Sequence, residues 1–306
     1  RRGATRGWLK VQDGCDRKCS FCATRLARGE SRSRAPDQVV AEALLLSGRH
    51  PELVVTGIHI GHYGKDLDPT WTLSRLVALL LDRVPDARFR LGSIEATEVD
   101  DLLIDLLATS GGRLAPHVHM PLQSGADPVL KLMRRWHTRE QYRVRVLELA
   151  ERVSPLGLGA DVITGFPGES EHDHDSTRAL IDELPFTYLH VFPFSPRDGT
   201  VAVRLPHPVP QRVSGQRSRE LREIAQAKGR EYRETRVGGS AEVVVEGDGG
   251  TALTGDYLRV GVGGALRTAH HHEQTGTLER LPTGTLQGDA DHLYITLSQQ
   301  PSVISA

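Results

Sequence analysis

Between residues 8 and 230, short apolar runs alternate six times with amphipathic stretches, and no tight hairpin joins one apolar run to the next. The runs are WLKVQDG (8–14), ELVVTGIHIG (52–61), RFRLGSIE (88–95), HVHMPLQSG (117–125), GLGADVITGFPGE (157–169) and YLHVFPFSP (188–196). Helical spacing fills the gaps. PDQVVAEALLLSG sets Val39, Val40, Ala43 and Leu44 on one side, with Pro36 near its start and Gly48 at its end. Leu73, Leu76, Val77, Leu80 and Val84 share a face over 72–84. DDLLIDLLATSGG stops at Gly111-Gly112, and further helices are expected at about 138–153, 171–184 and 209–234. Strands separated by helices pair in parallel through right-handed crossovers. Six such units predict an α/β fold, a partial (β/α)6 barrel of TIM type, with its site at the carboxyl ends of the strands.

The texture changes near residue 236. SAEVVVEGD, DYLRVGV and HLYITL are β-like runs between Gly-rich turns, without a helical period. The chain therefore divides into a (β/α)6 domain over 1–234 and a small all-β domain over 235–306. Small β-barrels bind nucleic acid or serve as packing modules. No run of about 18 apolar residues is present, so no membrane span is expected.

The cysteines carry the chemistry. All three, Cys15, Cys19 and Cys22, fall in CDRKCSFC at the end of the first strand. An odd, tight group without an export signal points to a metal or catalytic site in the reducing cytoplasm. Structural zinc takes four ligands, often as two separated pairs; the chain has no fourth cysteine, and the histidine nearest in sequence is His50. Three thiolates suit a 4Fe–4S cube with one iron left open. The open iron then chelates the amino and carboxylate groups of S-adenosylmethionine (SAM), and an electron passed to the sulfonium releases a 5′-deoxyadenosyl radical.

C-x3-C-x2-C closing the first strand of a β/α repeat resembles the radical SAM superfamily. VQDGCDRKCSFCATRLARGESRSR resembles its methylthiotransferase family more narrowly, and the likeness continues through HVHMPLQSGADPVLKLMRR, DVITGFPGESEHD and HVFPFSPRDGT. ALTGDYLRV makes the C-terminal part similar to a TRAM domain, the family's tRNA-binding module. VVTGIHIGHYG looks most like the branch acting on threonylcarbamoyladenosine beside the tRNA anticodon. The resemblance implies a tRNA methylthiotransferase core with tRNA as partner, through its anticodon stem-loop, and flavodoxin or ferredoxin as electron donor. The family also carries an N-terminal domain whose three further cysteines hold a second 4Fe–4S cluster. None of it is in this sequence, which begins Arg1-Arg2-Gly3 rather than with Met, so a truncation is expected.

The resemblance and strand-end positions nominate further residues, each with a structural alternative. Phe21 shields adenine or the cluster, or packs the loop. Gly57 and Gly61 bring backbone to the methionine amino group, or make a turn. Glu95 contacts the cofactor or pairs with an arginine. Gln123 and Ser124 suit ribose hydroxyls or cap a turn. Asp161 and Gly165 lie against adenine, or Asp161 is a hydrogen bonder inside the barrel. Glu169 reads as a helix-start carboxylate. Arg25, Arg28, Arg32 and Arg34 hold a carboxylate or RNA phosphates, or form a solvated face. His117 and His119 share a strand face and read as lining. His270, His271 and His272 read as a solvated loop. Arg259, Arg267 and Arg280 give the β module a modest positive charge, and Tyr257 is either a base-stacking platform or a core residue. Two other functions remain open: a radical SAM enzyme acting on a small molecule or peptide without sulfur insertion, and a non-enzymatic RNA-binding protein with a structural metal.

Overall fold

The computed structural model describes residues 5–68, 70–247, 249–263 and 281–297. The chain opens with β1 (Arg6–Lys10) and β2 (Gln12–Asp13), then α1 (Thr24–Arg28), β3 (Arg32–Ser33) and α2 (Pro36–Ser47). Next come β4 (Glu52–Thr56), α3 (Leu73–Arg83), β5 (Arg88–Leu91), α4 (Asp101–Thr109) and β6 (His117–His119). After α5 (Asp127–Leu132) and α6 (Arg139–Arg152) follow β7 (Gly157–Thr164), α7 (Glu171–Glu183), β8 (Tyr188–Pro193) and α8 (Gln211–Arg236). Local chemistry starts the helices as expected. Thr72 and Asp100 cap α3 and α4 with their side chains, and Thr138 with Gln141 and Ser170 with Asp173 form capping boxes on α6 and α7.

Strands β1, β4 and β5 form one parallel sheet, and β6, β7 and β8 another. Parallel bridges Phe89–Leu114 and Ser93–His119 join the two across β5 and β6. Six strands thus run in chain order around an arc. No pairing of β1 with β8 occurs among the described residues, so the arc is open there. Its convex side is apolar: Leu9, Val55, Phe89, Val118, Leu158 and Val191 pack with Val39, Leu76, Leu103 and Val146 of the helices. Its concave side is polar, because the alternate positions carry Glu52, Arg88, Arg90, His117, His119 and Asp161.

One expected strand is two. The run 8–14 breaks at Val11, and the short β2 turns to pair antiparallel with β3, Gln12 with Ser33 and Asp13 with Arg32. That ribbon closes the base of the cysteine loop.

After α8, five strands close a small barrel in the order β10-β11-β13-β12-β9. They are β9 (Ser240–Glu246), β10 (Thr251–Thr254), β11 (Arg259–Gly263), β12 (Thr283–Gln287) and β13 (Tyr294–Leu297). This barrel sits against the amino-terminal ends of the parallel strands, opposite the cysteines. Arg90 donates to the carbonyls of Thr254 (2.9 Å) and Gly255 (2.8 Å), and Arg88 to that of Glu242. Tyr257, a base-stacking platform or a core residue by its sequence, stacks its ring on His117, centroids 4.2 Å apart, and stays 37% exposed. Arg259 pairs with Glu246. Arg267, Arg280 and His270–His272 lie outside the described residues.

Candidate active site at the barrel mouth

The cysteine loop leaves the carboxyl end of the first strand and is pinned from three sides. Cys15 N–H donates to Gly29 O (3.0 Å), Ser20 N–H to Met133 O (3.0 Å), and Ala202 N–H to Ser20 O (2.8 Å). Beneath it lies Gln12, fully buried. Its amide nitrogen donates to Gly14 O (2.7 Å) and Ser31 Oγ (2.8 Å), and its oxygen accepts from the backbone of Ile58 and His59. One side chain therefore fixes the cysteine loop to the loop after β4. Gly57 belongs to this joint: a Cβ there would stand 2.8 Å from Gln12 O. Gly61 likewise leaves room for the Glu98 carboxylate.

Each of the first two thiols has a nitrogen partner backed by a carboxylate. Cys15 Sγ lies 3.5 Å from His59 Nδ1, and His59 Nε2 lies 2.8 Å from Glu98 Oε2. Arg17 and His62 also reach Glu98, at 3.2 and 3.3 Å. Burial disfavours the Cys15 thiolate, but the His59 hydrogen bond, a backbone hydrogen bond from Arg17 and the His59 charge together outweigh it, and the thiol is lowered from its ordinary value. Burial likewise opposes charge on His59, yet its bonds to Cys15 and Glu98 raise it to about 9. Cys19 Sγ accepts from Arg135 at 3.7 Å, and Arg135 is paired with Glu95. Here burial wins, and the Cys19 thiol is raised. Trp136 stands between the two dyads, with Arg17 and Arg135 stacked on its ring at 3.8 and 4.4 Å. Cys22 is exposed; its Sγ has Thr24 Oγ1 at 3.0 Å.

Three free thiols on one short loop, two of them facing hydrogen-bond donors, form a donor set for a cluster whose sulfur ligands carry negative charge. Cys15, Cys19 and Cys22 would hold it, and the group fits.

The other nominated residues divide. Phe21 meets Phe166 edge-on at 6.3 Å and packs with Met133 and Ala202, which fastens the loop. Glu95 takes the arginine pairing, and through Arg135 it bears on Cys19. Gln123 has φ +65°; its N–H donates to Asp161 O and its carbonyl accepts from Ile163, so it is part of the strand end. Ser124 is buried against α7, 3.3 Å from Thr177 Oγ1, and accepts from Ala126 N–H: it caps the turn and faces away from the mouth. Gly165 (φ +71°) leaves room for Ser214 of α8, whose Oγ would lie 2.3 Å from a Cβ. Asp161 accepts from His119 and His190, both at 3.2 Å.

Glu169 corrects the expectation. The N-cap of α7 is Ser170, and Glu169 is buried, accepting from Gly165 N–H (2.6 Å) and Arg217 (2.7 Å). Of the four arginines, Arg28 binds Asp13 through two contacts of 3.0 Å, Arg34 pairs with Glu42, and Arg32 caps carbonyls. Arg25 makes no ion pair among the described residues.

Gln12, His59, Glu98, Arg135 and Trp136 were not nominated by the sequence. Gln12 sits inside an apolar run, and the others meet the cysteines only through the fold. Replacing Gln12 by leucine leaves the N–H groups of Ile58 and His59 without their acceptor. The expected result is a loss of about 2–3 kcal/mol in stability and a lower iron content on reconstitution, read by denaturant unfolding and iron analysis.

Comparison with known proteins agrees with this geometry. The family model for the radical SAM superfamily matches residues 9–181. The threonylcarbamoyladenosine tRNA methylthiotransferase MtaB of Rickettsia prowazekii is 38% identical over 80% of this chain and 58% of its own. The tRNA-2-methylthio-N(6)-dimethylallyladenosine synthase of Bacillus subtilis is 36% identical over 81% of this chain and 49% of its own. The chain thus spans about half the length of the curated relatives it matches. Among solved structures, coproporphyrinogen III oxidase (HemN) of Escherichia coli superposes with a TM-score of 0.53 at 17% identity, over 74% of this chain and 53% of that one. That match concerns the fold alone.

Proposed function

The chain belongs to the radical SAM superfamily, and from that premise we propose that it is the catalytic core of a tRNA methylthiotransferase, acting on an adenosine next to the anticodon, N6-threonylcarbamoyladenosine. The observation that carries this reading is the three-thiol loop at the barrel mouth, in a chain whose relatives in both branches are tRNA-modifying enzymes. When bound, the cluster and SAM together supply reductive cleavage of a carbon–sulfur bond and hence an adenosyl radical. The chain's own residues position these groups. Gln12 locks the cysteine loop to the loop after β4. His59 and Arg135 offer hydrogen bonds toward the Cys15 and Cys19 sulfurs, and Glu98 and Glu95 hold those donors in place. Three cysteines suffice for one cluster, so the inserted sulfur comes from a donor other than these thiols. A second cluster in an N-terminal domain suits that task.

The five-stranded barrel after α8 is TRAM-like in this reading and holds the RNA, while flavodoxin or ferredoxin delivers the electron. The branch assignment rests on VVTGIHIGHYG, the loop that places His59 beside Cys15. No described helix is long and apolar enough to cross a membrane.

Two measurements test the proposal. Transfer RNA binding should weaken steeply as salt rises, because phosphate contacts release counterions. Incubated anaerobically with tRNA, SAM, a reductant and a sulfide donor, the chain joined to the proposed second-cluster domain should give a methylthio nucleoside by mass spectrometry of the digested tRNA. An unmodified tRNA pool despite intact clusters and SAM turnover would assign the chain to radical chemistry on another substrate.

A further inference from the structure

The three cysteine sulfurs meet different surroundings. Cys15 has a histidine nitrogen at 3.5 Å and Cys22 a hydroxyl at 3.0 Å, whereas Cys19 has a guanidinium: Arg135 Nη1 donates to its Sγ at 3.7 Å. A guanidinium stays charged throughout the working range of a protein, so this donor is a permanent cation. It is also a buried one, with the Arg135 side chain 3% exposed. One fixed positive charge therefore sits beside one of the three ligands.

The contact is held from both ends. Helix α5 stops at Met133, and Arg134 takes a left-handed φ of +57°, which turns the chain back. Arg135 N–H then donates to Leu130 O at 2.9 Å. The cysteine loop grips the same turn: Ser20, next to Cys19, donates its N–H to Met133 O (3.0 Å) and its hydroxyl to Leu132 O (2.7 Å). The guanidinium plane is set by Pro121 O, which accepts from Nη2 at 3.4 Å, and by the Trp136 ring at 4.4 Å. Glu95 pairs with that same Nη2. The ion pair thus turns its cationic Nη1 toward the sulfur and keeps its carboxylate on Nη2.

Reduction of a 4Fe–4S cluster adds one negative charge, and hydrogen bonds to its sulfurs and the charge around it set its potential. A cation at Cys19 favours the reduced form, and a carboxylate next to that cation opposes it. The two members of the pair therefore push the potential in opposite directions, which a pair that merely packs the loop would not do. We propose that the Arg135–Glu95 pair sets the reduction potential of the cluster through Cys19, with Arg135 raising it and Glu95 holding the rise in check. This rests on the radical SAM reading and names the residues that govern how readily the chain accepts its electron.

The test is a redox titration of the reconstituted 306-residue chain, followed by electron paramagnetic resonance, without oxygen and without SAM. Arg135→Gln is expected to lower the midpoint potential and Glu95→Gln to raise it. Each shift should be at least about 59 mV, a tenfold change in the reduced-to-oxidised ratio for one electron. Arg135→Lys, which keeps the charge, should stay closer to the wild type than Arg135→Gln. Iron content and the visible spectrum check that each variant holds the same cluster. Should Arg135→Gln hold none, the rise in Glu95→Gln decides. A potential unchanged in Glu95→Gln, or shifted the same way in both variants, overturns the proposal. An Arg135 that serves only to hold the SAM carboxylate leaves the SAM-free potential where it was, and the proposal falls likewise. A wild-type chain that assembles no 4Fe–4S cluster overturns the radical SAM reading and the proposal with it.

Discussion

Cys22→Ala is expected to abolish cluster assembly while leaving the fold intact. Cys22 is exposed, and among the described residues its sulfur hydrogen-bonds only with Thr24, through its hydroxyl and N–H. Removing it takes no packing from the core and strands no buried group. The cluster loses one of three protein ligands on a loop with no cysteine to substitute. Reconstituted wild-type protein should hold about four irons per chain, and the variant close to none, with circular dichroism and thermal melting of the iron-free proteins superimposable. Cys19→Ala should give the same iron result with some loss of stability, because Arg135 and its Glu95 partner are buried beside that sulfur. The contrast between the two variants separates a ligand from a ligand that is also packed.

The largest effect on stability is expected far from the cluster, at Glu52. This carboxylate is fully buried and receives Arg88 Nε at 2.6 Å and Arg90 Nε at 2.8 Å, and both guanidinium groups reach on to carbonyls of the β module. Glu52→Ala leaves two buried cations without their counter-ion, a change that costs about 3–5 kcal/mol. Denaturant unfolding should show that loss, and hydrogen exchange should show the β module released from the strands' amino-terminal ends. Burial opposes ionisation of Glu52, but Arg88 and Arg90 outweigh it and its folded-state pKa is lowered. Its contribution is therefore full above the unfolded-chain value near about 4.3 and is lost as pH falls through the lower folded value. The acid limb of the stability curve should flatten in Glu52→Gln.

The strand–helix alternation was legible because each β/α unit encodes its own period and its own caps. Thr72, Asp100 and Ser170 mark helix starts within a few residues of where the pattern places them. The cysteine loop was legible for a similar reason: its three ligands lie within eight residues. What surrounds the loop was not. Arg135 is 116 residues from Cys19 and His59 is 44 from Cys15, so no spacing ties them together. The break at Val11 was hidden because β2 pairs with Arg32–Ser33, a stretch whose charge gives no strand signal. Ser124 and Gly165 sit at strand ends where a polar or small residue suits a ligand, yet the structure shows them fitted to α7 and α8. Tyr257 was ambiguous because stacking on a base and stacking on His117 ask the same of a ring.

The central claim is that the loop Cys15–Cys22 makes this chain a radical SAM enzyme. Its most direct measurement is 5′-deoxyadenosine released when the reconstituted protein is given SAM and a strong reductant in the absence of oxygen. The account predicts release from the wild type, none without reductant, and none from Cys15→Ala, Cys19→Ala or Cys22→Ala. A wild-type protein that takes up zinc in place of iron, or that holds four irons and releases no 5′-deoxyadenosine, would contradict it.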